Sequence, residues 1–97
     1  MAVTSLLEMR FAPDHLVDGP VALREILMQT RAREGCLGVE IVTDVADPAH
    51  TIAIERWESI EHDDAYRAWR KGPGASNLSD YLVAPATLTR CEDVAAL

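Results

Sequence analysis

Aromatic side chains are scarce in this sequence: there are five in 97 residues, and three of them, Trp57, Tyr66 and Trp69, fall in one stretch, ERWESIEHDDAYRAWR. Cysteine and histidine are scarcer, with two and three. Cys36 and Cys91 lie far apart with no C-x-x-C spacing, and no His clusters with them, so no zinc site is read and both are expected to be buried thiols. Basic residues are outnumbered, nine against sixteen, for a net charge of −7. That balance argues against nucleic acid, whose phosphates demand clustered Lys and Arg. No apolar run approaches the roughly 20 residues of a spanning helix. The start, MAVTSLLEMRF, lacks a basic region and a small-residue cleavage site, so no secretory signal is read and a cytoplasmic location is expected.

With 48% apolar and 26% charged residues, the chain reads as one globular domain over residues 1–97. A chain this short buries roughly 60–70% of its unfolded surface, a thin core that shared surface in a homo-oligomer would thicken.

Period-two alternation puts a strand at Val3–Phe11, with Val3, Leu7, Met9 and Phe11 on one face and Thr4, Leu6, Glu8 and Arg10 on the other. A helix follows, with Pro20 in its first turn and Asp18 as cap, or from an earlier start capped by Asp14. Leu23, Ile26, Leu27 and Thr30 form its inner stripe, and Gly35 stops it. Cys36–Val45 reads as a strand, with Leu37, Val39, Ile41, Thr43 and Val45 sharing a face. Asp47-Pro48-Ala49-His50 reads as a turn and Thr51–Glu58 as the next strand, an antiparallel pair. Ser59 caps a second helix, acidic in its first turn and basic at Arg67, Arg70 and Lys71, which Gly72-Pro73 ends. Gly72-Pro73-Gly74 lacks the spacing of a phosphate loop. A loop with a short turn around Asn77–Leu82 leads to a last strand, Ala86–Val94.

The order β-α-β-β-α-β predicts an α+β, ferredoxin-like fold: a four-stranded antiparallel sheet with two helices on one face and strand order 4-1-3-2. Cys36 and Cys91 would then lie on opposite edges, out of disulfide reach. Apolar residues on both faces of the first and third strands imply a cover over the open face, most economically a second subunit's sheet.

On the third strand Ala53, Glu55 and Trp57 point one way, with Ile52, Ile54 and Arg56 opposite. His62, Tyr66 and Trp69 recur at helical spacing. One reading has Trp57 and this helix face bounding a hollow for a flat ligand, with Glu55 a desolvated carboxylate of raised pKa. Another has the aromatics as ordinary core, His62 half-exposed, and Glu55 paired with Arg90 or with Arg56 of a neighbouring subunit.

The run REGCLGVEIVTD…HTIAIERWESIEHDDAYRAW resembles the antibiotic biosynthesis monooxygenase family of the dimeric α/β-barrel superfamily, through Arg33–Gly38, the E-x-W-x-S of Glu55–Ser59 and the helix after it. The resemblance implies a homodimer with its two sheets packed face to face, and oxidation of a small quinol, anthrone or polyketide-type phenol by O2 without flavin, haem or metal. Trp57 matches the family's strand tryptophan. Tyr66 stands where many members carry His, and Ala53 where some anthrone-oxidising members carry Asn. Trp57, Trp69, His62 and Ala53 are expected to bind substrate, with Trp57 and Trp69 stacking on the ring, Tyr66 holding an oxygen and Glu55 as base, and no cofactor or metal. The departures at Tyr66 and Ala53 motivate an alternative, a non-catalytic small-molecule-binding dimer. A haem-degrading branch gives a further one, although here the first strand lacks its Asn, Trp69 is shifted by about a turn, and Ser76 falls near the place of the proximal His.

Overall fold

A computed structural model describes residues 1–97. Its elements run β1 (Val3–Arg10), α1 (Asp18–Arg31), β2 (Cys36–Asp44), β3 (Asp47–Trp57), α2 (Ile60–Arg70) and β4 (Thr87–Glu92), with single 3-10 turns at Pro13–His15 and Leu78–Tyr81. The strands lie in the order β2-β3-β1-β4, every neighbour antiparallel, which is the ferredoxin-like arrangement. Cys36 and Cys91 are free and sit on opposite edge strands. No helix is long and apolar enough to cross a membrane.

The register between the central strands carries the alternation across the sheet. Val3 faces Trp57, Ser5 faces Glu55 and Leu7 faces Ala53. These inward residues divide into two hydrophobic clusters. Met9, Phe11, Leu23, Leu27 and Ala53 form one under α1; Val3, Trp57 and Tyr66 form the other under α2.

Local departures from the sequence expectation have local causes. α1 begins two residues before Pro20, and no side chain caps it; Asp18 lies inside the first turn, its carboxylate 3.0 Å from Nδ1 of His15. Gly35 follows α1 in the left-handed region, φ 82°, and a Cβ there would meet the His62 ring at 2.2 Å, so its backbone freedom and its lack of a side chain are both used. A register shift between Cys36 and Gly38 turns Leu37 out, 59% exposed, and Cys36 faces Trp57 in its stead. Burial there pushes the Cys36 thiol above its ordinary pKa. The hairpin turn is Val45-Ala46, not Asp47–His50: Asp44 pairs with Asp47, and the Asp44 carboxylate accepts from the Ala46 N–H at 2.8 Å. β3 runs through Pro48 because the ladder is irregular at that point, where a missing N–H is tolerated.

The sheet face away from the helices carries Leu6, Ile52 and Ile54, half-buried, and Val42, exposed. Charges border this strip: Arg56 pairs with Glu40 at 3.2 Å, Arg10 with Asp47, and His50 with Glu8 and Asp44. Hydrogen bonds from its ring N–H groups to the Asp44 and Glu8 carboxylates raise the His50 pKa, while the Asp44 and Asp47 carboxyls are lowered by His50 and Arg10. Because the folded His50 holds its proton more tightly than the unfolded chain does, its contribution is complete below about pH 6.5 and fades as pH rises through its raised value. NMR titration will give His50 a midpoint above that of an unperturbed imidazole, and Glu8→Gln and Asp44→Asn will each lower it. A midpoint indifferent to both substitutions would refute the arrangement.

Candidate functional site

α2 forms where expected. Ser59 Oγ accepts from the His62 N–H at 3.3 Å, Glu61 and Asp63 occupy the positive end of the helix dipole, and Arg67 and Arg70 the negative end. Its buried residues, however, are Asp63 and Tyr66. His62 is taken up by the helix start, with Nδ1 2.7 Å from Ser59 Oγ and its ring over Gly35, so it does not share a site with Tyr66 and Trp69.

The aromatics do converge. Trp57 is fully buried, with its ring centroid 4.9 Å from that of Tyr66, which in turn lies 6.1 Å from Trp69. Tyr66 is pulled toward α1: its hydroxyl lies 2.7 Å from Thr30 Oγ1 and accepts from Arg70 Nε at 2.8 Å. The tyrosine ring thereby closes the space that the sequence reading leaves hollow. None of the five principal clefts on the molecule is lined by Trp57, Tyr66 or Glu55. Ala53 is likewise enclosed, in the other cluster, against Met9, Phe11, Leu23 and Leu27.

Glu55, 1% exposed, takes the ion-pair reading with a different partner from those expected. Arg67 meets its carboxylate, and Trp57 Nε1 donates to it at 3.4 Å. Burial raises the Glu55 pKa, and Arg67 pulls it partly back. Arg67 Nε also stands 2.9 Å from Oδ1 of the wholly buried Asp63, a close charge contact without the alignment of a hydrogen bond. Asp63 accepts from Ser5 Oγ at 2.9 Å and from Arg90 Nε at 2.7 Å, and Arg90 continues to Asp64. A line of alternating charge therefore joins β3, α2 and β4: Glu55, Arg67, Asp63, Arg90, Asp64. The Glu55 carboxylate is taken up by Arg67 and Trp57, a contact that ties β3 to α2. Sequence reading took Asp63 and Arg67 as dipole charges alone. Their i, i+4 spacing was the available signal for a pair.

Trp69 is the clustered aromatic that reaches solvent. It lines an open cleft of about 520 Å³ with Gln29, Ala32, Arg33, Pro73, Gly74 and Ala75. Gly74 is buried against the indole, where a Cβ would come within 2.2 Å of ring atoms. The Arg33 guanidinium lies 4.1 Å from the Trp69 ring centroid and that of Arg70 4.6 Å. No group of three or more His, Cys, Asp or Glu side chains is arranged to hold a metal ion.

The profile of the antibiotic biosynthesis monooxygenase family matches residues 2–79, from β1 through α2 to the second 3-10 turn. The chain belongs to that family. Trp57, Tyr66, Trp69 and the Gly74 contact all fall within the matched part, and β4, which supplies Arg90, lies outside it. Among curated proteins none matches. Solved structures share the fold of this family member at low identity. Rv0793 from Mycobacterium tuberculosis is 18% identical with TM-score 0.83, over 99% of this chain and 98% of that one. PA3566 from Pseudomonas aeruginosa is 20% identical with TM-score 0.76, over 97% and 95%. A structure described as an antibiotic biosynthesis monooxygenase is 21% identical with TM-score 0.77, over 96% and 99%.

Proposed function

We propose that this family member is a cytoplasmic, cofactor-independent monooxygenase that oxidises a small phenolic, quinol or anthrone-type ring with O2. The observation that carries the reading is that Trp69, of the three clustered aromatics, presents its ring to a cleft. The substrate ring stacks there, with Arg70 linking the cleft wall to the Tyr66 hydroxyl behind it. The chemistry asks little of the protein. Deprotonation turns an electron-rich phenol into a delocalised anion that gives electrons to O2 directly. For an anthrone-type substrate the ring CH2 becomes C=O and the second oxygen atom leaves as water, so the substrate itself supplies every electron. Binding the ring, stabilising its anion and excluding bulk water are what remain for the side chains. The active unit is a homodimer in which the strips of Leu6, Ile52 and Ile54 from two sheets cover each other.

The test is oxygen-dependent product from hydroquinone- and anthrone-type compounds, assayed under air and under nitrogen. Product above the protein-free blank is expected, falling about 10-fold or more in Trp69→Ala as the stacking contact is lost. A blank-level result across the panel would end the catalytic reading.

One observation favours a second reading, non-catalytic binding of a small molecule: Arg67 occupies Glu55, leaving no free carboxylate base along the aromatic wall. That reading expects ligand-dependent thermal stabilisation with the ligand recovered unchanged.

A further inference from the structure

The chain is acidic overall, yet several of its cations have no carboxylate partner, and two of them meet at Trp69. Of nine basic residues, Arg10, Arg56, Arg67 and Arg90 have carboxylate partners. Arg24, Arg31, Arg33, Arg70 and Lys71 have none, and all five belong to α1, the residues just after it, or the end of α2. Cations at helix C-termini commonly do no more than offset the dipole. Arg33 and Arg70 go beyond that role. Arg33 lies past the end of α1, exposed, resting on the Trp69 ring. Arg70 gives hydrogen bonds to five acceptors, all of them uncharged: the Tyr66 hydroxyl, Gln29 Oε1, Thr30 Oγ1 and the carbonyls of Ile26 and Gly74. Its geometry is fully satisfied, while its charge is answered by no anion.

The helix ends answer it with partial charge only. The Ala32 N–H closes on the Gln29 and Thr30 carbonyls, and the Trp69 carbonyl accepts from the N–H groups of Gly72 and Gly74. What lines the cleft is an indole seated against Gly74 and the Arg33 guanidinium without counter-charge, with the Arg70 guanidinium 4.6 Å from the indole centroid behind them.

We infer that this cleft takes a planar aromatic anion, an aryl carboxylate or phenolate, which replaces Arg33 on the Trp69 ring while Arg33 meets its negative group and the uncompensated charge of Arg70 behind the indole adds to the local positive field. The inference rests on the reading of Trp69 as the ring platform and adds the sign of the ligand's charge. It also gives the proposed oxidation a physical aid: a site that favours the anion lowers the cost of removing the phenolic proton, without a dedicated base.

The experiment compares two probes of matched shape and different charge, 2-naphthoate and 2-naphthalenemethanol, by titration calorimetry on the full chain at low salt. Naphthoate is expected to bind about 10-fold or more tightly than the alcohol, as befits a charge-assisted contact. Arg33→Gln, at an exposed position, keeps the parent's thermal midpoint and brings the two affinities within about threefold, through loss of the free guanidinium. Trp69→Leu weakens both probes alike. Equal affinities for the parent, an unchanged preference in Arg33→Gln, or no binding of either probe would each overturn the inference. Naphthoate is not turned over and the titration is run without oxygen. Failure of the monooxygenase reading, seen as missing oxygen-dependent product, is therefore distinguishable from failure here.

Discussion

Replacing Arg67 by Ala is expected to lower stability by about 3–5 kcal/mol, as when one partner of a buried ion pair is removed. The reason is the company Arg67 keeps. Its side chain is 18% exposed, while the carboxylates it meets, those of Glu55 and Asp63, are at 1% and 0%. Without Arg67, Glu55 keeps only the long Trp57 N–H bond, whereas Asp63 retains Ser5 and Arg90. Glu55 therefore bears most of the loss. Urea unfolding at neutral pH measures it. The carboxyl already lies above its ordinary pKa through burial, and removing the cation moves it further in the same direction. The folded variant then binds a proton more readily than the unfolded chain, so the defect eases as pH falls and deepens as pH rises through the raised value. Combining Arg67→Met with Glu55→Gln recovers part of the loss, since the orphaned charge goes with its partner. A loss below about 1 kcal/mol in Arg67→Ala, the scale of a surface pair, would show that water reaches these carboxylates after all.

Trp57→Ala is expected to cost about 3–5 kcal/mol, the range for truncating a large aromatic in a close-packed interior. The residue is fully buried between Val3 and Tyr66, with Cys36 at its side. The variant should also acquire what the parent lacks, a dry cavity shaped like an indole ring. Added indole is therefore expected to raise the thermal midpoint of Trp57→Ala in a concentration-dependent way, by more than any rise it gives the parent through the Trp69 cleft. Equal stabilisation of the parent that persists in Trp69→Leu would mean that Trp57 borders an existing hollow, and the substrate site would move back from Trp69 to the sheet. These outcomes place the ligand on one side of Tyr66 or the other.

Much of the architecture was legible in the chain before any coordinates. The alternation Val3, Leu7, Met9, Phe11 against Thr4, Leu6, Glu8, Arg10 is a local pattern, and so are the Ser59 cap and the Gly72-Pro73 stop. Local patterns identify strands, helices and their faces because side-chain direction follows from backbone geometry. The element order then limits the topology, since short antiparallel connections leave few ways to cover one sheet face. Two misreadings were also local. The Val45-Ala46 turn lacks the Gly, Asn or Pro signature that Asp47-Pro48 displays, and nothing in C-L-G-V announces that Leu37 is skipped in the ladder.

The site was legible by composition but not by arrangement. The sequence alone determined that a net-acidic, aromatic-poor chain concentrates its indoles and its phenol around one strand-to-helix passage, and that the inward side of β3 carries a carboxylate beside a tryptophan. Only the tertiary structure decided that Tyr66 reaches Thr30, thirty-six positions away, and shuts the space next to Trp57. It alone brought Arg67 between Glu55 and Asp63, and left Trp69 half-buried at a cleft edge with Arg33 over its ring. Charge pairing and ring packing depend on distances between elements remote in sequence, and a helix turned by one residue exchanges which side chain is buried and which is bare. Periodicity marks a face; the packing of α1 against α2 selects which residues on that face remain free to meet a ligand.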